Sequence, residues 1–152
     1  MADSSSLTPL LALRSVAVIG ASADPSRIGG RPIAYMLARG FAGRILPVNP
    51  NRSEVQGLPA FASVGDLPET PDVAIVAVPS ELVPATIEEL AARGVKAAIV
   101  FSAGFAETGT VGAERQALIA RVARAGGTRL LGPNSLGLFN DRIGFYGTFS
   151  AS

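Results

Sequence analysis

Short apolar runs, each followed by a segment with helical spacing, constrain the fold of this chain more than any other feature. The runs are residues 15–19, 44–48, 72–78, 95–101 and 128–131. Continuous rather than alternating apolar strands are typical of a sheet covered on both faces. Helical segments between strands indicate parallel βαβ units. The sequence therefore predicts an α/β fold, a three-layer Rossmann-like domain with a mainly parallel sheet.

Three helices are predicted between these strands, at residues 32–39, 80–94 and 112–125. Pro32 suits a first helical position, and Gly40 suits the residue just past a helix end. Residues 51–71 are rich in glycine and proline, which predicts mostly loop with one helical turn near residues 64–67. We expect residues 1–14 to form an N-terminal extension and residues 15–140 to form the domain. Residues 141–152 lose the pattern and are interpreted as a tail or the start of a following domain.

Composition excludes several classes of function. A chain of 152 residues is long enough for one domain with a sizeable core. It has no cysteine and no histidine, which excludes disulfides, thiolate metal sites and catalysis by either residue; we expect no catalytic residue and no metal site. The net charge is +1 without a basic run, so no nucleic-acid partner is expected. The apolar residues 7–13 are too few for a membrane span, and the cytoplasm is the expected location.

The loop after the first predicted strand is the first candidate for ligand binding. In an open parallel sheet, ligands bind outside the carboxyl ends of the strands. Residues 20–30 begin with Gly20-Ala-Ser22 and end with two glycines, but they lack the G-x-G-x-x-G spacing of dinucleotide-binding loops. A phosphate-binding loop and a plain βα turn both remain open from this segment alone.

The loop after the second predicted strand argues against a nicotinamide cofactor. NAD-binding domains carry an acidic residue there that holds the ribose hydroxyls. This chain has Asn49 instead, with Arg52 just beyond the strand. An arginine is better suited to a phosphate than to free hydroxyls. A solvated surface arginine is the alternative for Arg52, in which case Arg27 of the first loop would supply the positive charge.

Five short motifs follow one another in an order that resembles a known family. They are Ser15-Val-Ala-Val-Ile-Gly-Ala-Ser22, Pro47-Val-Asn-Pro50, Val76-Ala-Val-Pro79, Ser102-Ala-Gly-Phe-Ala-Glu107 and Gly132-Pro-Asn-Ser-Leu-Gly137. Together they resemble the N-terminal CoA-binding domain of ADP-forming acetyl-CoA synthetases and of the related succinyl-CoA synthetase α-subunit. The same region of bacterial protein acetyltransferases is also similar. The resemblance covers roughly residues 10–140 and implies binding of coenzyme A or an acyl-CoA.

The resemblance also implies a set of coenzyme-binding positions. Gly20 and Ser22 match residues of the first loop that contact the CoA nucleotide, and Arg52 matches a basic residue beyond the second strand. The positions after the third and fourth strands and in the Gly-Pro-Asn turn complete the set: Val78, Pro79, Phe101, Ser102, Ala103 and Asn134. Asn134 is expected to be structural first and directed at the ligand second. Arg27 is included as the alternative cation.

Departures from the family pattern place catalysis outside this chain. The synthetases pass a phosphoryl group through a histidine in the following domain, and this chain has no histidine. Ala103 replaces an acidic residue of succinyl-CoA synthetase and Ser135 replaces a common cysteine, which favours the acyl-CoA branch. The parent enzyme is expected to be an ADP-forming acid–thiol ligase with phosphohistidine and ATP-grasp domains as partners. The alternatives are an NAD(H)-binding module, in a redox sensor or a dehydrogenase, and a regulatory domain that senses CoA without catalysis.

Overall fold

The computed structural model describes residues 12–150. In chain order its helices and strands are β1 (Ser15–Ile19), α1 (Arg31–Ala38), β2 (Arg44–Val48), β3 (Glu54–Val55), β4 (Leu58–Pro59), β5 (Val73–Val76), α2 (Val83–Ala92), β6 (Ala97–Val100), α3 (Thr110–Gly126), β7 (Arg129–Leu131), β8 (Gly137–Asn140) and β9 (Phe145–Thr148). Short 3-10 helices connect several of them, including Ser80–Leu82 directly before α2.

The central sheet is parallel and has the order β2-β1-β5-β6-β7. Each neighbouring pair is parallel, with Val18 of β1 opposite Pro47 of β2 on one side and Ile75 of β5 on the other. All four residues of β5 and of β6 are buried, because helices or other layers cover both faces of the sheet. The predicted α/β fold with a mainly parallel sheet is confirmed.

Alternation along the strands divides the core into two halves. On one face, Ala17, Ala74 and Val100 pack with Ile87 of α2 and Ile119 of α3. On the other face, the alternate strand residues Val16, Val18, Val73, Ile75 and Ile99 pack with α1 and with Phe145 of β9. The two helical layers and the sheet between them make the predicted three layers.

The interpretation of residues 51–71 as mostly loop misses a small hairpin. β3 and β4 pair in antiparallel fashion with Val55 opposite Leu58, and Val55 is fully buried. Gln56 and Gly57 connect them with φ values of 51° and 83°, the positive values that a type I′ turn requires. The predicted turn of helix is present as a 3-10 helix at Val64–Asp66.

No strand is predicted after residue 140, yet the structure has β9 there. β9 pairs with β8, and Phe145 is fully buried in the same core as α1. Whether residues 141–152 open a further domain stays a prediction.

The expectation of an N-terminal extension concerns residues 1–14, of which 1–11 lie outside the described residues. Within residues 12–150, no helix is both long and apolar enough to cross a membrane.

Candidate functional site

A cleft lies at the carboxyl ends of β2, β1 and β5. Because β2 and β5 lie on opposite sides of β1, the direction of winding changes there, and this is where open α/β sheets place ligands. The cleft is open and has a volume of about 830 Å³, within the range of roughly 300–1,000 Å³ that is usual for small-molecule sites. Most of its lining belongs to the first loop, residues 20–30; Asn49 and Arg52 follow β2, and Ala77 follows β5.

Three glycines allow the first loop to fold back on itself. Gly20 has φ of +84°, and a Cβ there would lie 2.7 Å from the carbonyl oxygen of Ala77. A Cβ on Gly29 would lie 2.0 Å from the oxygen of Gly20, and one on Gly30 equally close to the oxygen of Asp24. These distances are far below van der Waals contact, so each position accommodates only glycine without movement of the backbone. The late glycine pair therefore closes the loop.

Two amide side chains hold the loop from outside. The Asn49 side chain donates from Nδ2 to the carbonyl of Ala21 at 2.9 Å and accepts from the Asn51 N–H at 2.8 Å. Gln56, at the tip of the β3–β4 hairpin, donates from Nε2 to the carbonyls of Ser22 and Gly30 at 3.0 and 2.8 Å. Side-chain amides thus satisfy three loop carbonyls, those at the two ends of the first loop.

The charged residues of the cleft are unevenly paired. The Asp24 carboxylate accepts from the Ser26 hydroxyl at 2.6 Å and from the Ser26 N–H at 2.9 Å, and these bonds hold its pKa below the usual range. It also lies 3.8 Å from Nε of Arg27, whose side chain is 76% exposed. Arg52 is exposed, and within residues 12–150 its guanidinium has no ion pair. Arg52 is therefore the cation that an incoming anion meets without displacing a carboxylate.

Four of the predicted site residues line this cleft, and the other six lie further along the same edge of the sheet. Gly20, Ser22, Arg27 and Arg52 are in the cleft. The Ser102 hydroxyl, after β6, donates to the carbonyl of Val78, after β5, and the Asn134 N–H donates to the carbonyl of Ser102 at 2.9 Å. These bonds tie three loops into a continuous rim. The remaining positions after these strands are Pro79, Phe101 and Ala103.

Burial separates the members of this rim. Ala103, Pro79 and Asn134 are exposed, whereas the Phe101 side chain is only 4% exposed and packs in the core. Asn134 has φ of +52°, a conformation that asparagine tolerates better than most residues, which supports the structural role expected for it. That these ten residues contact a coenzyme stays a prediction.

Two charged side chains, those of Glu107 and Arg115, shape the loop after β6. Glu107 accepts from the N–H groups of Gly104 at 2.6 Å and Phe105 at 3.1 Å, and these bonds lower the pKa of its carboxyl group. Arg115 of α3 donates to the carbonyl of Gly104 at 3.1 Å and to the Ser80 hydroxyl at 3.2 Å. Both side chains stabilise backbone, so their role is to hold this loop in place.

Three residues that line the cleft are not singled out by the sequence, although they lie within the predicted loop 20–30. They are Asp24, Ser26 and Ile28, of which Ile28 is 50% exposed, and nothing in their spacing distinguishes them from the rest of the loop. Gln56 is also missed, although a two-residue Gln-Gly connection between Val55 and Leu58 is a weak hairpin signal. Across residues 12–150, no group of three acidic residues is placed to hold a metal ion.

Comparisons with known proteins converge on one family. The CoA-binding domain family matches residues 14–141. An ADP-forming acetate–CoA ligase, form II, of Archaeoglobus fulgidus is 39% identical over 137 residues, which are 90% of this chain and 20% of that protein. The α-subunit of the ADP-forming acetate–CoA ligase II of Pyrococcus furiosus is 38% identical over 136 residues, which are 90% of this chain and 30% of that subunit.

A solved structure agrees with the sequence comparisons. The dinucleotide-forming acetyl-coenzyme A synthetase 1 of Candidatus Korarchaeum cryptofilum, in complex with phosphate and ADP, superposes with a TM-score of 0.89 at 38% identity. The match covers 95% of this chain and 31% of that one. The chain thus spans less than a third of each of these relatives.

Proposed function

The chain belongs to the family of CoA-binding domains, and we propose that its first-loop cleft holds the nucleotide portion of coenzyme A or an acyl-CoA. The observation that carries the proposal is the closed glycine loop at the switch point of the sheet, next to Arg52, which has no ion pair within residues 12–150. Glycines let backbone approach a phosphate closely, as a diphosphate requires. At these positions a Cβ would meet a backbone carbonyl of the protein itself, so the glycines close the loop, and the fit of the group rests on the open cleft that the closed loop lines.

Arg52 is proposed to contact the 3′-phosphate of the coenzyme. It follows β2, and the end of the second strand is where this fold reads the adenosine ribose. An acidic residue at that point would favour two free hydroxyls, whereas the half-buried Asn49 is already engaged with the first loop. Arg27 carries the same charge but shares it with Asp24. The geometry therefore favours Arg52 over Arg27 as the cation that recognises the phosphate.

The rim beyond the cleft is proposed to guide the rest of the coenzyme. It runs from Val78 and Pro79 to residues 101–103 and to Asn134, along the carboxyl edge of the sheet. The rim offers mainly backbone and small side chains, which suit an extended, weakly polar arm better than a second charged group. Its exposure leaves room for the coenzyme's thiol end to reach residues outside this chain.

We propose that the parent protein is an ADP-forming acyl-CoA synthetase in which this domain supplies the coenzyme. The chain has no histidine or cysteine, so the phosphoryl transfer and nucleotide steps belong to phosphohistidine and ATP-grasp domains on other segments or subunits. The cytoplasm, where CoA and ATP are both abundant, is the proposed location. The role of this domain is to bind and orient CoA, with no covalent step of its own.

Calorimetric titration of the 152-residue chain with CoA, dephospho-CoA and NAD tests the proposal. We expect CoA to bind at least tenfold more tightly than NAD, a difference of about 1.4 kcal/mol. The affinity for dephospho-CoA should lie between the affinities for CoA and NAD, because dephospho-CoA keeps the diphosphate of CoA but lacks its 3′-phosphate. Equal affinities for CoA and NAD, or tighter binding of NAD, would overturn the CoA assignment in favour of a nicotinamide-binding module.

A further inference from the structure

One arginine connects the first loop to the end of the described chain. Arg31, the first residue of α1, donates from Nη2 to the carbonyl of Ser26 at 2.9 Å and from Nη1 to the carbonyl of Phe149 at 2.7 Å. Ser26 lines the cleft. Phe149 follows β9 and is 118 positions from Arg31 in the sequence. A single guanidinium thus donates hydrogen bonds to both segments.

The segment that Arg31 holds, residues 148–150, will be called the C-terminal clasp. Its Phe149 ring meets the Phe101 ring edge-on at a centroid distance of 4.8 Å, and Phe101 belongs to the rim after β6. The Tyr35 hydroxyl of α1 donates to the carbonyl of Ser150 at 2.8 Å. The clasp therefore touches the first loop through Arg31 and the rim through Phe101.

On the cleft side, Arg31 acts on a residue that is itself tightly bonded. The Ser26 N–H and hydroxyl both donate to Asp24, and the Arg31 backbone N–H donates to the carbonyl of Arg27 at 2.8 Å. A shift of the Ser26 carbonyl would therefore move Asp24 and Arg27, which are the charged groups of the first loop. The guanidinium is suited to this bridge because its donors lie in one rigid plane, whereas a lysine ammonium is a point charge on a flexible stem.

We propose that Arg31 is a positioning residue that couples coenzyme binding in the first-loop cleft to docking of the C-terminal clasp. The inference rests on the proposed function, since it takes the cleft to be the coenzyme site. A ligand that orders the first loop strengthens the hydrogen bond from Arg31 to the carbonyl of Ser26. The guanidinium is then less mobile, and its hydrogen bond to the carbonyl of Phe149 is strengthened as well. Linkage makes the effect reciprocal, so a docked clasp raises coenzyme affinity by the same factor.

Amide hydrogen exchange and calorimetry on the 152-residue chain measure both directions of this coupling. In the unmodified chain, saturating CoA should slow exchange of the Phe149 and Ser150 amides by about fivefold or more, the usual lower range of coupling between sites. In Arg31→Lys, CoA should no longer slow that exchange, and CoA affinity should fall by a comparable factor. Arg44→Lys is the matched control, because Arg44 pairs with Glu69 at the start of β2, at the amino edge of the sheet.

A second variant approaches the coupling from the clasp. Phe149→Ala removes the ring that contacts Phe101 and changes no residue that lines the first-loop cleft, so weaker CoA binding in this variant is transmitted through the clasp and its contact with Phe101. Urea unfolding of each variant separates coupling from general destabilisation. If Arg31→Lys does not fold, Phe149→Ala and Tyr35→Phe carry the same test from the other end of the bridge.

The outcomes separate this inference from the proposed function. If the unmodified chain binds CoA and the clasp exchanges at the same rate with and without it, the coupling is wrong and the proposed function stands. If the chain does not bind CoA, the proposed function fails. The coupling between the clasp and the first loop is then tested in the free chain, by amide exchange alone. Phe149→Ala should then speed exchange of the Ser22 and Gly30 amides, which are hydrogen-bonded within the first loop at 3.2 and 3.0 Å; unchanged rates would overturn it.

Discussion

Replacing Gly30 by alanine isolates the steric closure of the first loop. Gly30 has φ of −103° and ψ of −27°, a backbone conformation that alanine adopts freely. Backbone propensity alone would make the substitution neutral, or stabilising by about 0.4–1 kcal/mol. The structure indicates the opposite, because the added Cβ would lie 2.0 Å from the oxygen of Asp24 and 2.9 Å from the oxygen of Ser22.

The size of the effect follows from which atoms must move. Ordinary contact with a Cβ begins near 3.4 Å, so the Asp24 carbonyl must retreat by more than an ångström. It is backbone rather than a flexible side chain, and Gln56 holds the neighbouring carbonyls of Ser22 and Gly30 in place. Overpacking of this kind costs about 1–3 kcal/mol of unfolding free energy. Because the displaced atoms line the cleft, CoA affinity should fall at least about tenfold.

Gly65→Ala is the matched control. A Cβ there meets only the Ser63 hydroxyl oxygen, at an ordinary 3.6 Å, and Gly65 lies in the 3-10 helix Val64–Asp66, away from the cleft. Urea unfolding gives the stability of each variant, and calorimetric titration with CoA gives the affinity. Gly65→Ala should match the parent chain in CoA affinity. A Gly30→Ala chain with parental stability and parental CoA affinity would refute the claim that this loop is sterically closed and forms the ligand site.

Two further predictions follow from the charged residues. Arg52→Ala should lower the affinity for CoA by about tenfold or more and change the affinity for dephospho-CoA little. The loss should be smaller at high salt, because salt screens an exposed charge pair. If Arg27→Ala instead gives the selective loss of CoA affinity, the phosphate contact belongs to the first loop. For Glu107, the N–H groups of Gly104 and Phe105 lower the carboxyl pKa in the folded chain, so its stabilisation is present above the ordinary pKa of 4.5 and is lost as pH falls through the lower folded value. The difference in urea midpoint between the parent chain and Glu107→Gln should therefore be larger at about pH 7 than at about pH 3, and a difference independent of pH would contradict the assignment.

The central sheet could be predicted because its physical signal is strong and local. Strands buried on both faces must be apolar at every position, and β1 and β2 have the predicted bounds. The later strands are shorter than predicted, as β5 ends at Val76 rather than at residue 78. Ala77 and Val78 are half-buried and pack against the core just beyond the end of the strand, where apolar character no longer distinguishes strand from loop.

The two hairpins could not be predicted because their signals are short or distant. β3 and β4 have two residues each, too few for a periodicity, and their turn places Gln56, rather than the usual Asn or Asp, at positive φ. β9 alternates buried and half-buried residues over only four positions, and Gly147 interrupts its side chains. Its partner β8 and the cover that it gives to Ile99 become visible only when the chain is folded.

Asn49 shows how a correct observation can have a second cause. No acidic residue follows β2 directly, and in the sequence this argues against NAD as the ligand. In NAD-binding domains a carboxylate at that point holds the ribose hydroxyls. In the structure the Asn49 amide donates to the carbonyl of Ala21, and a carboxylate at that position could only accept. The amide is therefore required by the first loop whatever the ligand is. The proposed preference for CoA over NAD then depends on Arg52 and on the family to which the chain belongs. The affinities for CoA and dephospho-CoA, which differ only in the 3′-phosphate, therefore test the proposed ligand more directly than any substitution of Asn49.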